Sequence, residues 1–192
     1  MMDAIKLGAS VIRQEAKGLQ RLAAKLDKQF AEAVLILDCQ GKIVLTGVGK
    51  SGHVCRKVAA TMTSLGRPAI FIHPTEAAHG DMALIDSRDA LLVLSRSGMA
   101  DELRPLLKFA SDHGIPTVLI SEHDKTGLAV WVNTVVKLPK VEEAWGHAPT
   151  TSTTMQMAVG DAIAVALASR HGWTVRDFIE HHPGGALGSE KR

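Results

Sequence analysis

A chain of 192 residues has room for one well-cored domain, which at that size buries roughly 70% of the surface its unfolded form exposes. Hydrophobic residues make up 46% and charged residues 22%, which excludes a largely disordered chain. A net charge of +2, with no Lys/Arg block interleaved with aromatics, gives no reason to expect nucleic acid as a partner.

From the amino terminus, charges are scattered through the first twenty residues, so there is no apolar signal core. The first forty residues read as helix: Leu19, Leu22, Leu26, Phe30, Val34 and Leu37 recur at steps of three and four and share a face. After Gly41 the texture changes to short apolar runs, Ile43–Leu45, Ala69–Ile72, Leu91–Leu94, Val118–Ile120 and Val135–Val136. These runs do not alternate with polar residues, as in parallel strands covered on both faces. Between them, 51–65, 100–113 and 124–132 have helical length and pattern, which predicts a doubly wound α/β fold with a five-stranded parallel sheet flanked by helices, in one domain over 1–192. Residues 150–170 read as a long helix and 174–181 as a short one, with Thr174 and Asp177 spaced as an acidic capping box. No run approaches the ~20 apolar residues of a membrane span, so no membrane partner and a cytoplasmic location are expected. Cys39 and Cys55 lack metal spacing and read as plain thiols in a reducing compartment.

In such a sheet ligands bind beyond the carboxyl ends of the strands, and the sequence there is polar. The first strand leads into Gly47–Val48–Gly49–Lys50–Ser51–Gly52. This fits a dinucleotide GxGxxG only weakly, because His73 stands where a ribose-binding acid belongs. A P-loop fails, because Val44 replaces its first glycine. What remains is a turn suited to an anion, or a tight turn with a solvated lysine. The second strand leads into His73–Pro74–Thr75–Glu76–Ala77–Ala78–His79–Gly80–Asp81, open to a metal, sugar-contact or solvated-loop reading. The third leads into Ser95–Arg96–Ser97–Gly98, which offers hydroxyls and free N–H groups to a phosphate or caps a helix. The fifth leads through Lys140–Pro149 to five consecutive hydroxyl residues, Thr150–Thr154, and the chain closes on His181–His182–Pro183–Gly184–Gly185.

These blocks, in this order (GVGKSGH, FIHPTEAAHGD, SxSG, APTTSTT, GDAIAVAL and HPGGALG), resemble the SIS (sugar isomerase) domain, and within it the arabinose-5-phosphate isomerase family. The resemblance runs over roughly residues 5 to 188. It implies interconversion of D-arabinose 5-phosphate and D-ribulose 5-phosphate through an enediol, in synthesis of KDO for lipopolysaccharide, by a homotetramer. It places catalytic roles on Lys50, Glu102, Glu143 and His182. Sugar-phosphate contacts fall on Gly49, Ser51, Gly66, Arg67, His79, Ser95, Ser97, Lys140, Thr150, Ser152 and Thr153, and on the helix from Pro105 to Gly114. No cofactor is implied as required; a divalent metal such as zinc, held at His73, would be incidental or inhibitory. Glu143 or Glu102 would be the base, with burial raising its pKa. His182 would open the sugar ring or shuttle protons, and Lys50 would steady developing charge.

The sequence departs from the family pattern at Met99 and Ala100, which replace a carboxylate and a hydroxyl, and at a shortened loop carrying Trp145 and His147. A pair of CBS domains usually follows HPGGALG, so the chain reads as a member lacking the pair or as a piece of a longer protein. Another SIS-type sugar-phosphate isomerase and a non-catalytic sugar-phosphate sensor are the competing readings.

Overall fold

The computed structural model describes residues 3–125 and 127–184. Five parallel strands, β1 (Ile43–Gly47), β2 (Ala69–Phe71), β3 (Ala90–Leu94), β4 (Thr117–Ser121) and β5 (Thr134–Lys137), pair in the order β2-β1-β3-β4-β5. The sheet is as the apolar runs predict. Strands β1, β3 and β4 are buried along their whole length because helices cover both faces. On one face Ile43, Leu45, Leu92, Leu94, Val118 and Ile120 pack beneath α2 (Lys28–Leu37), α3 (Lys50–Ser64) and α6 (Thr151–Arg170), with α1 (Ala4–Ala23) outside α6. On the other, Val44, Leu91, Val93 and Leu119 meet α4 (Pro74–Ala78) and α5 (Arg104–Asp112) through Ala77, Leu106, Leu107 and Ala110.

The chain runs from β1 outward to β2 and then crosses back to β3 on the other side of β1. The strand order therefore reverses between β1 and β3, and their carboxyl ends diverge into a crevice. The turns after these two strands are the glycine-rich GVGKSG and the SRSG segments.

Three elements differ from the sequence expectation. The leading helix is two helices, because Asp27 caps a new one, its Oδ1 accepting from the Gln29 N–H at 3.0 Å. Leu26 of the apolar stripe falls in the break and is 41% exposed. Among the described residues of the segment 124–132, Ala129–Trp131 form a 3₁₀ turn in place of the expected helix. This segment is tied down from outside: the Leu128 N–H donates to the Gly98 carbonyl, and Lys137 Nζ lies 3.0 Å from Asp124. Between β2 and β3, α4 is followed by a 3₁₀ turn, Asp81–Leu84. The short carboxyl-terminal helix α7 (Val175–Glu180) carries the expected capping box, with Thr174 and Asp177 bonded reciprocally. No helix among the described residues is long and apolar enough to cross a membrane.

Candidate active site

Two cavities open at the carboxyl edge of the sheet. The first, about 310 Å³, lies at the reversal point and is lined by Val48 and Ser51 after β1 and by Ser95, Arg96, Ser97 and Ala100 after β3. The β3 turn is built by its own hydroxyls: Ser95 Oγ accepts from the Gly98 N–H and Ser97 Oγ from the Met99 N–H, each at 3.2 Å. A hydroxyl used as acceptor still has a proton to donate, so both serines keep a donor for an anion. Across the crevice Gly49 caps α3 and Lys50, its first residue, is exposed. The Ser51 hydroxyl donates to Oε1 of the fully buried Gln156 at 3.0 Å, which ties α3 to α6.

The second cavity, about 360 Å³, is lined by Arg96, Val141, Glu142, Glu143, Gly146 and His147. Its centre is Glu143, whose side chain is 2% exposed. Oε2 accepts the N–H of Thr150, the residue that precedes α6, at 2.8 Å and that of Ser152, in the first turn of α6, at 3.2 Å. Oε1 accepts the Ser152 hydroxyl and, at 2.6 Å, Arg96 Nη1. Burial acts to raise the Glu143 carboxyl, but the Ser152 hydroxyl, the Thr150 and Ser152 N–H groups and the Arg96 charge together outweigh it. The carboxyl therefore titrates below the usual glutamate value. This reverses the expectation that burial would raise it.

The same contacts redefine Thr150, Ser152 and Thr153. The Thr150 and Ser152 donors are engaged by Glu143, and the Thr153 hydroxyl donates to the Thr150 carbonyl of its own turn at 2.9 Å. The hydroxyl run therefore seats a carboxylate at the start of α6, and in this arrangement those donors are not open to a phosphate. Arg96 and its second partner Glu122, 2.9 Å away, are not among the residues that the sequence singles out. The signal for Arg96 is its place inside the SRSG turn; nothing local marks Glu122.

The remaining predicted residues divide by position. Glu102 lies exposed in the 3₁₀ turn Asp101–Leu103, on the path from β3 into α5. Lys140 is exposed beside Lys17 and Arg21, where Gln14 of α1 donates to the Glu142 carbonyl at 3.1 Å. His79 is exposed at the end of α4. His73 caps that helix, its Nδ1 accepting from the Thr75 N–H at 3.3 Å, and among the described residues no group of three metal-ligating side chains forms around it.

Gly66, Arg67 and His182 do not join the site within one chain. Gly66 and Arg67 precede β2 and so sit at the amino edge of the sheet. Gly66 lies against the Trp173 ring with φ +79°, and the buried Arg67 guanidinium donates to the Cys39 carbonyl at 2.7 Å. His182 follows α7, its ring stacked on Phe178 at 4.0 Å and its Nδ1 2.6 Å from the Phe178 carbonyl. The 20 residues of α6 separate its start at Glu143 from that end, a span of about 30 Å at ~1.5 Å per residue. Of the closing HPGG turn, Gly185 lies outside the described residues.

A sheet whose strand order reverses between a glycine turn and an SxSG turn, with a carboxylate seated beside them, is the arrangement in which open α/β domains hold ligands. Residues 36–166 match the SIS domain model, and the chain belongs to that family. It is 40% identical over 181 residues, 92% of its length, to arabinose 5-phosphate isomerase KpsF of Escherichia coli O6:H1. It is also 40% identical over 190 residues, 97% of its length, to arabinose 5-phosphate isomerase KdsD of Yersinia pestis. The chain spans 55% and 58% of the length of these relatives. A protein of E. coli CFT073 solved in complex with arabinose 5-phosphate superposes with a TM-score of 0.89 at 34% identity, covering 95% of this chain and 100% of that one.

Proposed function

We propose that the protein is an aldose–ketose isomerase that interconverts D-arabinose 5-phosphate and D-ribulose 5-phosphate, in the supply of KDO for lipopolysaccharide. The observation that carries this reading is the buried Glu143 carboxyl, paired with Arg96 beside the SRSG turn at the reversal point of the sheet. The phosphate is held at Ser95, Ser97 and the free N–H groups of that turn. Its binding orients the sugar at the neighbouring carboxylate. Glu143 takes the proton from carbon 2 of the open-chain aldose and returns it to carbon 1, while a hydroxyl proton passes from oxygen 2 to oxygen 1, so the cis-enediol forms and collapses without redox change. Its donors lower its basicity in the free chain. Glu102 is the second carboxylate for this step. Lys50 steadies the enediolate oxygen. His182 comes from another copy of the chain, which makes a homotetramer part of the working enzyme. The reaction needs no cofactor, a divalent metal at His73 is inhibitory, and the protein works in the cytoplasm.

A coupled assay with arabinose 5-phosphate tests this. Wild-type protein should turn over, and Glu143→Gln or His182→Ala should cost about 10²–10⁴ in rate with the fold intact. Near-wild-type rates in both variants would sink the assignment, and Glu102→Gln reports which carboxylate moves the carbon-bound proton. One observation favours a second reading, sugar-phosphate sensing without turnover: the Glu143 oxygens are already saturated with donors. A ligand-dependent thermal shift with no turnover would select it.

A further inference from the structure

Of the residues lining the two carboxyl-edge cavities, only Arg96 borders both. Its backbone is fixed first: the Arg96 carbonyl accepts from the Ser121 hydroxyl at 3.1 Å and from the Glu122 N–H at 3.0 Å, which clamps the β3 turn to the end of β4. Its guanidinium is then held on two sides. Nε donates to Glu122 Oε1 at 2.9 Å, Nη1 to Glu143 Oε1 at 2.6 Å, and Nη2 leans on the Val141 carbonyl at 3.4 Å. Glu122 and Glu143 are 5% and 2% exposed, and Arg96 is 34% exposed. Two buried carboxylates thus face one arginine, which costs more in desolvation than a surface pair and persists only with good geometry.

We propose that Arg96, oriented by Glu122, is the positioning residue for Glu143: it sets where that carboxylate points and secures its charge. The inference rests on the isomerase reading, in which Glu143 handles the substrate proton. Glu122 serves as the fixed arm. It turns the planar fork so that Nη1 meets Oε1 while the helix N–H groups hold Oε2, and the carboxylate is gripped from two directions. A residue here that lacked the fork would leave Glu143 pinned by α6 alone.

The consequence is a pH dependence with a defined sign. The charged and titratable groups around Glu143 are Arg96 and Glu122 from the strand-end turns, and Glu142 and His147 from its own loop. Farther out, Glu15 of α1 accepts from the Thr154 hydroxyl of α6, and Lys17 and Lys140 border the adjoining cavity. Arg96 is the cation in contact with Glu143. Its removal favours the protonated carboxyl and raises the pH below which activity falls. Removal of the Glu122 charge, with a Gln acceptor kept for Nε, leaves Arg96 a single anionic partner and does not raise that limit. A merely structural ion pair would lower the rate in both variants without moving the profile.

The test is the pH profile of kcat/KM with arabinose 5-phosphate, from acid to neutral pH, for the full chain. Arg96→Met should move the acidic limb up by about one unit. Glu122→Gln should leave it in place or slightly lower, and Arg96→Lys should restore the limb while kcat stays reduced and KM changes less. If Arg96→Met strands Glu122 and fails to fold, the double variant Arg96→Met/Glu122→Gln removes both charges and should still show an upward shift, equal or somewhat smaller. A ¹³C-glutamate NMR titration of Glu143 in the same variants reads the effect without turnover. If wild-type protein is inactive, the isomerase reading fails while the titration still decides Arg96. An unmoved Glu143 titration in folded Arg96→Met, or an equal limb shift in Glu122→Gln, overturns the proposal.

Discussion

Replacing Glu143 with Gln should destabilise the fold by an amount that depends on pH. The substitution keeps the shape but converts one acceptor oxygen into an amide NH₂. That group must face either Arg96 Nη1 and the Ser152 hydroxyl or the Thr150 and Ser152 N–H groups, donor against donor. Hydrogen bonds to a charged group contribute about 1.5–3 kcal/mol, against about 1 for neutral pairs. The start of α6 also loses its anion, worth roughly 0.3–1 kcal/mol. Arg96 retains Glu122, so no buried cation is orphaned. A loss of about 2–4 kcal/mol at neutral pH follows from these terms, taken as non-additive. The Glu143 carboxyl titrates lower in the folded chain than in the unfolded one. Its stabilisation is therefore complete above the unfolded value, about 4.3, and is lost as the pH falls through the folded value. The assay is urea unfolding at one protein concentration, at neutral pH and again in acid. With m of roughly 2–3 kcal/mol/M the variant midpoint should fall by about 1 M at neutral pH, and the gap to wild type should narrow in acid. A gap that is absent at neutral pH, or that widens in acid, refutes the account of Glu143 as the buried anion at the α6 terminus.

Gly66→Ala should lower the unfolding temperature without touching the carboxyl-edge site. The backbone there has φ +79° and an added Cβ would stand 2.4 Å from the Trp173 ring, so a cost of about 1–3 kcal/mol is expected; unchanged thermal stability would show that the amino-edge packing is looser than described. Because His182 lies a helix length from Glu143 within one chain, mixing inactive Glu143→Gln and His182→Ala proteins after unfolding and refolding should restore part of the turnover. Mixtures no more active than either parent would place both residues in one chain's site or remove one from the mechanism.

How much of this is legible in the sequence follows from the range of the interactions. The capping box at Thr174 and Asp177 spans three residues and needs only local geometry. The sheet is visible because double-sided burial demands unbroken apolar runs, and β1, β3 and β4 are buried throughout. The break in the leading helix is hidden because the apolar stripe continues through Leu26, whereas the Asp27 cap restarts the helix and lets α2 reach the sheet at β5 while α1 lies along α6.

The amino-acid sequence by itself determined the α/β class, the places of the glycine turn at Gly47–Gly52 and the SxSG turn at Ser95–Gly98, and the family, since each is written in contiguous residues. Tertiary structure alone decided which turns face each other, because the reversal between β1 and β3 is a matter of strand order. It also decided the state of Glu143. Arg96 lies 47 residues away in the chain and 26 from Glu122, so the contacts that hold that carboxylate ionised exist only after the strands are in register. Burial alone points to a raised pKa; the donors gathered by folding reverse the sign, because hydrogen bonds and an adjacent cation outweigh desolvation at that point.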